Sequence, residues 1–285
     1  MNKGYFLLCI TMKHLNLFVF SNIFIAFAAA SMTLQVCMLL NVPGYTFFGL
    51  AFFGTLVLYN FHRLYRFRNT RRAAAPRYQW IVKHRVWLIF LVLVGIVGGV
   101  ILLQHLSKWS FTFLAALVFF GLGYVVECFG KQKKALRDLP GLKIFVVAMV
   151  WAGFLVALPA IEHQIKPFPW VLMLEKFLFI FAITLPFDMR DVAVDAPSQK
   201  TLPQVLGIKN ASYLGVFSCL MCICLAAYQW HDNLVSIGYL ITQTLTYILA
   251  VWCLLLAQKK RNELFYSFLI DGLILLAACL SYPFI

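Results

Sequence analysis

Apolar residues in this chain keep neither a strand period nor a one-sided helical period. They come in long unbroken runs separated by short polar connections. Nine runs can be drawn, at Leu15–Leu40, Tyr45–Asn60, Val86–Leu103, Phe111–Val126, Ile144–Ile161, Val171–Phe187, Ser212–Tyr228, Leu234–Ala257 and Leu264–Pro283. A helix needs about 17–25 apolar residues to cross a bilayer, and most of these runs reach that length. Inside lipid the backbone must satisfy its own hydrogen bonds, so such runs form helices. The alternating segments of about ten residues that build a membrane barrel are absent from the sequence. The pattern therefore predicts an all-α integral membrane protein of nine transmembrane helices, one domain over residues 1–285. The first run lacks a small-residue cleavage site and reads as a retained helix. No soluble domain fits in the connections.

Composition agrees: 63% of residues are hydrophobic and 12% charged, against roughly 25% charged in soluble domains. The net charge of +14 is unevenly placed. Lys3 and Lys13 precede the first run. Arg63, Arg66, Arg68, Arg71, Arg72, Arg77, Lys83 and Arg85 follow the second. Lys131, Lys133, Lys134, Arg137 and Lys143 follow the fourth, Arg190, Lys200 and Lys209 the sixth, and Lys259, Lys260 and Arg261 the eighth. That puts 21 of the 24 cations on one side and leaves Lys108, Lys166 and Lys176 for the other. The positive-inside rule then predicts a cytoplasmic N-terminus and an external C-terminus, in what would be a bacterial inner membrane. Attraction to anionic lipid headgroups explains such charge, so membrane lipids are expected partners and nucleic acid is not. The eight cysteines fall mostly inside runs, and Cys219, Cys222 and Cys224 lack the further ligands a metal site wants.

One stretch departs from the pattern. Among only ten acidic residues, Asp188, Asp191 and Asp195 fall within eight positions, directly after an apolar run. At helical spacing i, i+3, i+7 they would share one face, with Arg190 pointing elsewhere. Their mutual repulsion calls for a cation, and Mg²⁺, a hard ion that bridges carboxylates to phosphates, is the natural candidate. Ionisable groups at a membrane edge are functional candidates by default.

The series Asp188, Asp191, Asp195, followed by Lys200-Thr201-Leu202-Pro203 and Gly207, resembles the second aspartate-rich motif of the UbiA family of intramembrane prenyltransferases. The segment "GYVVECFGKQKKALRDLPGLKIF" is similar to that family's Tyr- and Lys-containing loop. The resemblance implies nine helices around a central cavity open to the cytoplasm. It also implies Mg²⁺-assisted transfer of an isoprenoid chain from a prenyl diphosphate to an acceptor. Carried over, Asp188, Asp191 and Asp195 would be catalytic metal ligands, and Lys200, Tyr124, Lys134 and Arg137 would touch the diphosphate.

The first aspartate-rich motif should follow the second run, where the sequence has "YNFHRLYRFRN". Asn60 matches, but Phe61, Leu64 and Arg68 stand at the carboxylate positions. Arg63 and Arg66 could bind diphosphate directly, since a guanidinium pairs bidentately with phosphate oxygens. Asn60, Arg63 and Arg66 are accordingly expected in the phosphate cradle. Two rival readings use the same features. One is an inactive lipid-binding or assembly protein on this fold; the other is a transporter, for which no matched pair of broken helices is seen. Asn16 and Asn22 read as interhelical hydrogen-bond partners. Asp271 could bond to another helix or line the cavity.

Overall fold

A computed structural model describes residues 15–66, 76–125, 141–195 and 199–285. Every predicted run coincides with helix. Residues 15–20 are helical and lead into α1 (Ile23–Leu39). There follow α2 (Tyr45–Arg66), α3 (Pro76–Lys83), α4 (Arg85–Leu103), α5 (Lys108–Val125), α6 (Lys143–Glu162) and α7 (Trp170–Asp191). After the short α8 (Leu202–Leu206) come α9 (Ile208–His231), α10 (Ile237–Leu256) and α11 (Phe265–Phe284). No strand occurs among the described residues.

Six helices, α4, α6, α7, α9, α10 and α11, are long and apolar enough to cross a membrane. The described residues thus hold six such helices rather than the nine crossings expected. The described parts of α1 and α5 are apolar but shorter, and α2 carries Asn60, His62 and Arg63 before its end. Large apolar side chains of α4, including Phe90, Leu93, Val97 and Val100, face outward and are exposed. In water such a surface would aggregate; in a bilayer it is solvated. The chain is an integral membrane protein.

The helices close into a ring. Neighbours run α1–α2–α5–α6–α7–α9–α10–α11, and α11 returns to α1, while α4 lies against α2 from outside. Apolar contact gives little drive to association inside lipid, so close approach and buried hydrogen bonds hold such a ring. Gly95 of α4 provides one close approach: a Cβ there would sit 3.0 Å from the Phe53 carbonyl oxygen of α2. Buried amides provide the bonds. Gln35 of α1 and Gln243 of α10 both donate to the Ala277 carbonyl of α11, at 2.9 and 2.8 Å. Ser212 of α9 donates to the Leu254 carbonyl of α10 at 3.1 Å.

Candidate functional site

The acidic stretch closes α7. Pro186 lies inside the helix, Asp188 and Arg190 on its last turn, and Asp191 ends it. The Asp195 amide still bonds the Asp191 carbonyl at 2.8 Å, so Asp195 folds back over the helix end. Gln204 on α8 fixes that turn by donating to the Asp195 carbonyl at 3.2 Å and accepting from the Thr201 amide at 3.0 Å. Lys200, at φ 44, leads into α8, which Thr201 caps.

A second segment meets this one. The Gly141 amide donates to the Gln199 carbonyl at 3.2 Å, and Gly141 itself takes φ +69. Positive φ costs glycine almost nothing. The chain then enters α6, which packs along α7. Two residues past that glycine, Lys143 reaches the acidic turn. Its Nζ lies 2.5 Å from Asp188 Oδ1 and 3.1 Å from Asp195 Oδ2. The two carboxylates are almost completely buried, with side-chain exposures of 2% and 1%, and Lys143 retains 12%. Asp188 Oδ2 is buried and accepts no hydrogen bond.

The three acids are divided between two cations of the chain. Asp191 is paired with its neighbour, Arg190 Nε lying 2.9 Å from Asp191 Oδ1 and Nη2 3.3 Å from Oδ2. Arg190 Nη1 donates to Glu263, ahead of α11, at 3.2 Å, and the guanidinium lies over the Phe187 and Tyr266 rings. The expectation that Arg190 points elsewhere is corrected. Arg190 instead pairs with Asp191, the last residue of α7.

These positions bear on magnesium. Mg²⁺ takes oxygen ligands at about 2.0–2.1 Å in octahedral geometry. Here one acid is held by an arginine, and the other two converge on an ammonium standing between them. Among the described residues no three His, Cys, Asp or Glu side chains converge as metal ligands. The residues present do not fit a resident Mg²⁺ held by Asp188, Asp191 and Asp195 together.

Asn60 is also placed differently from the phosphate-cradle expectation. It is fully buried. Its Nδ2 donates to the Ser21 and Leu56 carbonyls, both at 3.0 Å, and its Oδ1 accepts from Asn22 Nδ2 at 2.8 Å. The Ser21 and Asn22 bonds tie α2 to the start of α1, and the Leu56 bond stays within α2. Asn22 thus does make the interhelical bond expected of it. Arg63, one turn on, donates to the Phe20 carbonyl. Lys200 is exposed. The side chains of Arg66 and Tyr124, and residues Arg68, Lys134 and Arg137, lie outside the described residues.

A second charged cluster was not foreseen. Glu175 and Lys176, near the start of α7, are completely buried and paired at 3.0 Å. Tyr239 Oη donates to Glu175 Oε1 at 3.0 Å, Tyr247 donates to the same oxygen, and Gln229 donates to Oε2. Lys176 Nζ also donates to Tyr239 Oη at 3.0 Å. Lys176, one of the three cations assigned to the external side, is thus a buried helix residue. The available signal was an adjacent Glu-Lys pair inside an otherwise apolar run. Cys219 and Cys222 are buried while Cys224 faces outward, so the three thiols do not converge.

No family model and no curated protein matches the sequence. The fold does have solved counterparts. The apo structure of a UbiA homolog from Aeropyrum pernix K1 superposes with a TM-score of 0.66 at 13% identity, over 90% of this chain and 94% of that one. A structure described as digeranylgeranylglyceryl phosphate synthase in membranes gives a TM-score of 0.57 at 14% identity, over 94% and 97%. The chain has the UbiA fold over nearly its whole length.

Proposed function

We propose that this chain binds a prenyl diphosphate at the end of the bundle carrying Asp188 and transfers the isoprenoid chain to an acceptor at the membrane. The observation that carries the reading is a buried, charge-bearing turn at the end of α7, in a bundle with the fold of a UbiA homolog. In the reaction the allylic C–O bond breaks and diphosphate leaves with the electron pair. An electron-rich atom of the acceptor bonds to the allylic carbon and the acceptor loses a proton. The departing charge must be met by preorganised cations, and the allylic cation must be kept from water. Arg63, Arg66 and Lys200, with Tyr124, Lys134 and Arg137, are the proposed diphosphate partners. Mg²⁺ supplies such charge elsewhere in this chemistry. The bias of cations toward this end supports a cytoplasmic placement, and a bacterial inner membrane is the proposed location.

A second reading has its own support. Asn60 is spent on helix packing and Lys143 is committed to two carboxylates. Both suit an inactive lipid-binding or assembly protein on the same fold.

Full-length protein in lipid nanodiscs, offered labelled prenyl diphosphates and a membrane-lipid extract as acceptor, separates the two. Transfer predicts saturable binding that persists in chelator, release of diphosphate and a prenylated product. Binding without release supports the second reading. Absence of prenyl diphosphate binding, with and without Mg²⁺, ends the transfer proposal.

A further inference from the structure

Lys143 stands where a bridging metal would have to stand. An ion shared by Asp188 and Asp195 must lie between the two carboxylates, about 2 Å from an oxygen of each. The Lys143 ammonium already occupies that gap, 2.5 Å from Asp188 Oδ1 and 3.1 Å from Asp195 Oδ2. It is not a surface lysine that has folded over an available ion site. The Gly141–Gln199 backbone bond and the packing of α6 on α7 deliver it there, and it is itself mostly buried. Two buried carboxylates without a cation would be costly, since an uncompensated buried charge is strongly destabilising.

We infer that Lys143 is a tethered replacement for a divalent cation: it neutralises the Asp188–Asp195 pair from within the chain, and it and a divalent ion exclude each other from that position. The sequence makes the exchange coherent. Phe61, Leu64 and Arg68 stand at the positions of the first-motif carboxylates, so that segment offers no acid to share further ions. Arg190 serves Asp191 in the same manner, as a protein cation on a carboxylate. The inference stands on ion geometry alone and is independent of prenyl transfer.

The test is metal binding rather than turnover. Mn²⁺ serves as probe, read by electron paramagnetic resonance and by thermal unfolding of the full chain in detergent. Wild-type protein should show no Mn²⁺ signal that depends on Asp188, and its unfolding midpoint should be the same in Mn²⁺ and in chelator. Lys143→Met keeps the length of the side chain and removes the charge. It should unfold at lower temperature in chelator, recover in Mn²⁺, and bind Mn²⁺ at least about 10-fold more tightly than wild type, because a unit charge within about 4 Å acts that strongly. Adding Asp188→Asn to Lys143→Met should abolish both effects. Wild-type binding of Mn²⁺ that is lost in Asp188→Asn alone would overturn the inference, and that measurement remains available if Lys143→Met fails to fold. A folded Lys143→Met protein that gains no Mn²⁺ affinity overturns it equally.

Discussion

At the scale of single residues, the acids around the end of α7 are matched by cations of the chain, and the matches rank them. Asp188 and Asp195 share Lys143 in near-complete burial, whereas Asp191 and Glu263 share Arg190 at a partly exposed edge, with side-chain exposures of 19% and 35%. Removing Asp191 leaves Arg190 its bond to Glu263 and its two aromatic neighbours. Asp191→Asn should therefore lower unfolding free energy only modestly, because the guanidinium keeps a counter-charge and its ring contacts. Asp188→Asn should shift stability and prenyl diphosphate binding more, since it leaves Lys143 with half its counter-charge. A comparison of the two unfolding midpoints in one detergent checks the order, and equal effects would contradict it. The Glu175–Lys176 pair makes a sharper case. Lys176→Met strands a fully buried carboxylate among two tyrosines and a glutamine, and breaking a buried pair costs about 3–5 kcal/mol. Denaturant titration should show a loss of that size, partly restored in Glu175→Gln/Lys176→Met, which removes both charges. The acidic turn was legible in the sequence because three aspartates in a carboxylate-poor chain stand out. Their partners were not, because Lys143 lies 45 positions before Asp188 among cations that already had a topological explanation.

At the scale of elements, the helices were legible because lipid leaves the backbone no alternative, and each apolar run became one helix. Their ends were less so. The expected start at Val171 and end at Phe187 fall short of α7, which runs Trp170–Asp191 and carries both charged clusters within its length. Polar residues could be read neither as terminators nor as interior positions from the pattern alone. What Asn60 does was also hidden, since a motif position and an interhelical bond use the same amide. Packing between elements shows in the glycines. Gly95 of α4 lies against α2 so closely that a Cβ would meet Val57 at 2.7 Å and the Phe53 carbonyl at 3.0 Å. A side chain can yield but a helix backbone cannot, so Gly95→Leu should push α4 off α2. Overpacking of this kind costs about 1–3 kcal/mol. Because α4 touches the ring mainly through α2, the displacement should stay local: a disulfide cross-link engineered between α2 and α4 should form less efficiently, while one between α9 and α10 should be unaffected. Loss of both cross-links would mean that α4 is integral to the ring.

At the scale of the whole molecule, closed ring and lopsided charge bear on the same question, which is where the site opens. Helices that alternate in direction around a ring bring the ends of α2, α7 and α10 together with the starts of α6 and α9. Those ends carry Arg63, Arg190, Lys143, Lys209 and Lys259, whereas the opposite end has Lys108, Lys166 and the buried Lys176. A field of one sign gathers anions, and a prenyl diphosphate is an anion whose tail dissolves in lipid, so the charged end suits its arrival from the membrane surface. By the positive-inside rule the same cations would set orientation during insertion, because lysine and arginine near helix ends are retained on the cytoplasmic side. The site and the topology signal should thus share one face. Lys200 and Asn233 are exposed at opposite ends, before α9 and after it, and each can be replaced by cysteine in a background freed of the eight native cysteines. In right-side-out membranes a membrane-impermeant maleimide should label Asn233→Cys at once and Lys200→Cys only after permeabilisation. Labelling of Lys200→Cys in sealed membranes would put the acidic turn outside, and a cytoplasmic supply of diphosphate to Asp188 and Lys143 would then be ruled out.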